Sequence, residues 1–144
     1  MKTTVSDKWV YYTADNFKGF LGNSFGKWMF YFDNPDYAER ICTVAVCDGV
    51  TKRAKHANAS QGIGGFYTTA DNYTEHRTII AYMLSNNLIR RAANGKYFDI
   101  AFKYELADDE ATTPTLPRTP LRLSDFIDLS DGTFKPVRIQ QRLC

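Results

Sequence analysis

Lys27-Trp28-Met29-Phe30-Tyr31-Phe32, followed by Asp33-Asn34-Pro35, is the stretch on which the fold turns. The apolar run is too short for a helix and rich in aromatics, so it reads as a buried strand. It stops at Asp33. Asn34 is placed to cap a helix with Pro35 at its first position, and Asp36 and Glu39 fall where the helix dipole favours acids. Tyr37, Ile41, Val44, Ala45 and Val46 give that helix an apolar stripe, and Asp48-Gly49 supplies a C-terminal glycine.

Working outward, Val50 to Ala57 is short and basic and reads as a polar edge strand. After a turn at Asn58 to Gln61, Gly62 to Thr69 reads as another strand, with Gly64-Gly65 marking a bulge or a close backbone approach. Asp71-Asn72 caps a second helix from Tyr73 to about Asn87, striped by Tyr73, His76, Ile80, Met83, Leu84 and Leu88. Beyond the turn at Asn94-Gly95, Tyr97 to Glu105 alternates, with Phe98, Ile100, Phe102 and Tyr104 on one side and Asp99, Lys103 and Glu105 on the other. The order strand, helix, strand, strand, helix, strand predicts an α+β fold: an antiparallel sheet on a split β-α-β-β-α-β core, helices on one face.

The flanks extend or wrap this core. Lys8-Trp9-Val10-Tyr11-Tyr12 reads as a further strand, 107–120 as an exposed acidic, Thr/Pro-rich loop, and Leu121 to Leu129 as a short amphipathic piece. Phe134, Val137 and Ile139 are placed to add a last strand. Tyr12 to Phe17 and Thr68 to Tyr73 nearly repeat each other, which reads as shared strand-to-helix turn chemistry. The expected organisation is one domain over 1–144, with its core at 26–105 and a C-terminal extension from 121.

Composition narrows the classes. With 144 residues, 44% hydrophobic and 15% aromatic, the chain is neither disordered nor coiled-coil nor collagen-like. No apolar run approaches a membrane span, and Met1 to Asp7 lacks a signal peptide's apolar core, so no membrane partner is expected. Cys42, Cys47 and Cys144 are odd in number and form no Cys-x-x-Cys pair, which argues against a disulfide framework and structural zinc. Cys42 and Cys47, about 140° apart on a helix, read as small buried hydrophobes. A reducing, cytoplasmic setting follows. The net charge of +2 implies a polyanion partner only where basic residues cluster.

They cluster twice. Lys52-Arg53-Ala54-Lys55-His56 carries the highest local charge, and on a strand Lys52, Ala54 and His56 share one face while Arg53 and Lys55 share the other. Such a group holds a phosphate by charge-assisted hydrogen bonds, serves as an acid–base pair for eliminating a phosphate or uronate, or simply keeps an edge strand solvated. Arg77, Arg90, Arg91 and Lys96 flank the end of the second helix, where the dipole alone explains a cation. Arg118, Arg122, Lys135, Arg138 and Arg142 make the C-terminal segment mildly basic. His56 and His76 lack partners at ligand spacing, His76 reads as a rim residue of the helix stripe, and no metal or cofactor is expected. No nucleophile elbow or phosphate loop occurs. Trp9, Trp28, Tyr31, Phe66, Tyr67, Tyr97 and Tyr104 read either as core or as a stacking platform for bases, with core favoured.

Gly26-Lys27-Trp28-Met29-Phe30, Ala54-Lys55-His56, Gly65-Phe66-Tyr67-Thr68 and Asn87-Leu88-Ile89 together resemble the phosphothreonine-lyase-domain proteins, over about residues 26–105. Those are small α+β proteins similar in fold to the cap-binding translation initiation factor. The chain also resembles small proteins of phages and bacterial mobile elements. The first resemblance implies a curved sheet backed by helices, with Lys55 near a phosphate-binding concavity; only Lys55 and Trp28 carry over, without a full Lys–His–Arg set. The expected function is a non-catalytic binding or inhibitor protein of phage or mobile-element type. Its partner is a phosphate-containing ligand or a nucleic-acid-handling protein, engaged through Lys52, Arg53, Lys55, His56, Arg90 and Arg91. A lyase using Lys55 and His56, and a single-stranded nucleic-acid-binding module, are the alternatives.

Overall fold

The computed structural model describes residues 1–20, 24–105 and 121–136. Its strands are β1 (Lys2–Val5), β2 (Trp9–Thr13), β3 (Phe25–Phe32), β4 (Arg53–Ala57), β5 (Gly62–Thr69) and β6 (Lys103–Glu105). Helix α1 spans Pro35–Cys47, helix α2 Tyr73–Ser85, and a short 3-10 turn covers Leu123–Asp125. The strands form one antiparallel sheet in the order β1-β2-β4-β5-β3-β6. This is the expected α+β architecture, each helix carrying the chain across one intervening strand.

Both helices start and stop as local chemistry dictates. Asn34 Oδ1 accepts from the Asp36 amide at 3.0 Å and Asn72 Oδ1 from the Glu75 amide at 3.1 Å. Each end is closed by a residue at positive φ followed by a backbone bond into the last turn. Gly49 (φ 76) precedes the Val50 bond to Ala45 O at 2.9 Å, and Asn87 (φ 55) precedes the Leu88 bond to Met83 O at 2.9 Å.

The helices lie together on one sheet face, where Tyr82 of α2 donates to the Ile41 carbonyl of α1 at 2.7 Å. Trp28, Phe30 and Phe32 of β3, Ala54 of β4 and Phe66 of β5 are buried against Ile41, Ala45, Ile80 and Met83. Leu123, Phe126 and Ile127 close one end of this core, as the amphipathic pattern of 121–129 anticipates. His76, expected at a rim, is fully buried, because its ring bridges two elements. Trp28 Nε1–H donates to His76 Nδ1 at 2.9 Å, which leaves the proton on Nε2, facing the Ala70 carbonyl at 3.0 Å.

Several expectations change. β4 is no edge strand: it begins at Arg53 and sits between β2 and β5, because β1 and β2 fold in as an N-terminal hairpin. β3 is buried on one face only, with Tyr31 63% exposed. Of Tyr97 to Glu105 only Lys103–Glu105 is strand, the remainder making isolated bridges at Tyr97 and Ala101. The first Asp-Asn repeat ends β2 in a turn at Asp15-Asn16 without starting a helix. Cys42 is buried, but Cys47 is exposed at the last turn of α1. The loop at 107–120, Arg118, Val137, Arg138, Ile139, Arg142 and Cys144 lie outside the described residues.

Gly64-Gly65 causes no bulge, since β5 keeps continuous register with β3 and β4. A Cβ on Gly64 would overlap the Phe30 ring and sit 2.9 Å from the Lys55 carbonyl, whereas on Gly65 it would meet the Lys27 stem, Cδ at 2.9 Å. We expect Gly64→Ala to lower stability by about 1–3 kcal/mol through overpacking. Gly65→Ala should cost less, because a flexible side chain can yield; denaturant titration of both variants decides this. His76 gives a second expectation. Burial lowers its pKa from 6.5 to about 4, so the unfolded chain takes up the proton first as pH falls. Stability is then complete above pH 6.5 and is lost towards pH 4, by about 3 kcal/mol at 1.36 kcal/mol per pH unit. His76→Gln should remove this component; parallel losses in both proteins would refute it.

Candidate functional site

Residues in a strand alternate between faces, so the helix-covered set determines the other set. The partners in register place Lys2, Trp9, Tyr11, Arg53, Lys55, Tyr67, Phe25, Lys27, Met29, Tyr31, Lys103 and Glu105 on the face that carries no helix. Among these strand positions five are basic and one is acidic. Trp9, Tyr11, Tyr67, Phe25 and Tyr31 interleave aromatic rings with the cations.

The centre of the face is Tyr67. Lys27 Nζ, Arg53 Cζ and Lys55 Nζ lie 5.6, 5.1 and 5.7 Å from its ring centroid, within cation–π range. Its hydroxyl donates to Glu105 Oε1 at 2.9 Å, and Lys27 Nζ bonds the same oxygen. Lys55 Nζ stands 3.7 Å from that oxygen and 3.8 Å from the Trp9 ring centroid. Arg53 also covers Tyr11 at 4.6 Å. Thr51 pins this corner, its hydroxyl donating to the Tyr67 carbonyl at 2.6 Å and accepting from the Arg53 amide at 3.3 Å. Phe20 stacks on Phe25 at 4.4 Å and lies 6.1 Å from Tyr67, which completes the cover over Tyr67.

The charges perturb one another. Burial pulls the Lys55 ammonium below its usual pKa of 10.5, with Lys27 acting in the same sense and Glu105 against it. Burial alone would raise Glu105, but the Lys27 and Tyr67 hydrogen bonds and the Lys27 and Lys55 charges hold it below the usual carboxylate value. Burial and the neighbouring Glu105 carboxylate push the Tyr67 hydroxyl up.

The six residues expected from sequence divide. Arg53 and Lys55 join the cluster, Arg53 half-buried and Lys55 nearly enclosed. Lys52 is exposed ahead of β4. His56 projects to the helix side, buried, with Nε2 2.9 Å from the Tyr12 hydroxyl and Nδ1 3.0 Å from the Ala57 carbonyl. Lys55 and His56 therefore occupy opposite faces and do not form an acid–base pair. Arg90 covers Tyr31 at 4.6 Å, and Arg91 covers Tyr97 at 4.0 Å while donating to its hydroxyl at 2.8 Å. Of the aromatics proposed as a platform, Trp9, Tyr31 and Tyr67 lie on the helix-free face, and Trp28 and Phe66 are core. Lys27, Tyr11 and Glu105 were not among the expected site residues. For Lys27 the signal is the period-two pattern Lys27, Met29, Tyr31, which the apolar run conceals; Tyr11 and Glu105 join through strand pairing alone.

Among the described residues no group of His, Cys, Asp and Glu is placed to hold a metal, and no helix is long and apolar enough to cross a membrane. A depression of about 220 Å³ lined by Gly49, Val50, Asn72, Thr74, Glu75 and Thr78 shares none of these residues. No family model, curated protein or solved structure matches the chain.

Glu105→Gln should destabilise the fold by on the order of 1–2 kcal/mol at neutral pH, because it strips two lysines of their carboxylate in a partly screened site. The lowered pKa means this contribution exists above the ordinary carboxylate range and disappears as pH falls through the folded value. The two proteins should converge in acid; a constant gap would disprove the ion-pair role.

Proposed function

We propose that the helix-free sheet face is a non-catalytic binding surface for a phosphate-bearing ligand. The observation that carries this reading is the charge imbalance: Lys2, Arg53, Lys55, Lys27 and Lys103 share the face with Glu105 as the acidic strand residue. Exposed Lys2 and Lys103 and half-buried Arg53 are the groups within a ligand's reach. Lys55 and Lys27 stand behind them and add field rather than contacts. Arg53 is the sharpest recognition element, since a guanidinium offers parallel donors to phosphate oxygens. The separation of Lys55 from His56 supports binding over a lyase. A basic face also fits the polyanion better than a protein that itself grips nucleic acid, because that partner's surface repels it.

Calorimetric titration with inorganic tripolyphosphate at low salt tests this. Binding should weaken as salt rises, and Arg53→Ala with Lys103→Ala should reduce affinity by about tenfold or more, as loss of charge-assisted hydrogen bonds implies. Glu105→Gln should tighten binding. Affinity should also start to fall at a pH below that of an ordinary lysine, as Lys55 loses its proton. No binding, or binding indifferent to these substitutions, overturns the reading.

A further inference from the structure

The helix-free face does not end at Tyr67. At the far end of β3, Tyr31 projects to the same side as Lys27 and is 63% exposed. Arg90 lies across its ring at 4.6 Å. The Arg90 carbonyl accepts from the Phe98 amide at 2.9 Å, which fixes the backbone that carries Arg90 beside this edge. Arg90 has no carboxylate partner among the described ion pairs.

The separation of the two clusters sets the size of the ligand. Arg53 is level with Tyr67 and Lys27 across the sheet, while Tyr31 lies four residues further along β3. That is about 13 Å along the strand and two strand spacings across, roughly 16 Å on the diagonal. A single phosphate or a mononucleotide does not bridge it. At 3.4 Å or more per nucleotide step, roughly three to five linked nucleotides do.

We infer that the ligand is a single-stranded oligonucleotide crossing the sheet diagonally, its backbone on Arg53 and its bases at Tyr31 and Arg90. This rests on the phosphate-binding reading above and names its ligand class. Unpaired bases stack on aromatic rings and on guanidinium planes, which is what the Tyr31–Arg90 pair presents. An acidic peptide satisfies the cations but gives open aromatic rings nothing planar to stack on. A rigid duplex keeps its bases inside.

Fluorescence anisotropy with labelled oligothymidylates of two, four and eight nucleotides tests the inference. Poly-glutamate and a duplex of equal length serve as competitors, and tripolyphosphate calorimetry runs in parallel. Affinity should rise steeply from two to four nucleotides. Tyr31→Ala and Arg90→Ala should each weaken the eight-nucleotide strand by roughly tenfold, as loss of one stacking contact implies, and leave tripolyphosphate binding unchanged. Both residues are exposed, and thermal melts of the variants confirm that they fold. Oligonucleotide binding unaffected by both substitutions, or equal competition by poly-glutamate or duplex, overturns the inference while tripolyphosphate binding still stands. Loss of tripolyphosphate and oligonucleotide binding together in the wild type would instead refute the underlying reading.

Discussion

Both described helices pack on one face of this sheet, so a residue's parity within its strand decides its fate. On β3, Trp28, Phe30 and Phe32 enter the core, and Lys27, Met29 and Tyr31 leave it. A slip of one residue would place Lys27 in an apolar interior and expose Trp28 to water. Register is therefore enforced by the core, and the arrangement of cations on the bare face follows from it. The Trp28–His76–Ala70 bridge reinforces the same choice, since it needs Trp28 opposite α2.

What was legible in the chain was whatever local chemistry determines. Asn34-Pro35, Asp48-Gly49 and Asp71-Asn72 announce helix ends through side-chain capping and positive φ, and both helices begin where expected. The placement of β4 was not legible, because whether a strand lies at an edge depends on which distant segment pairs with it. Lys52 to His56 looks like a solvated edge, yet the Trp9–Thr13 hairpin strand covers it. The site was half legible for the same reason. Arg53 and Lys55 are conspicuous in sequence, but Glu105 joins them only through the pairing of Phe25 with Glu105.

The helix-free face is held together by partly desolvated charges, each costly alone, set among aromatic rings. Lys55 is almost enclosed, and its desolvation is offset by the Trp9 ring and a shared carboxylate. Tyr67 gathers three cations, and its hydroxyl bonds Glu105, which offsets part of their charge. The cluster leaves more positive charge on these strands than it neutralises.

The two tryptophans fall on opposite sides of the sheet. Trp28 is fully enclosed, whereas Trp9 is half-buried on the bare face beneath an ammonium group. The protein therefore carries two indole fluorophores with separate duties. A water-soluble quencher should reach Trp9 and spare Trp28, so emission from the shielded indole reports the integrity of the core while the accessible one reports events on the surface.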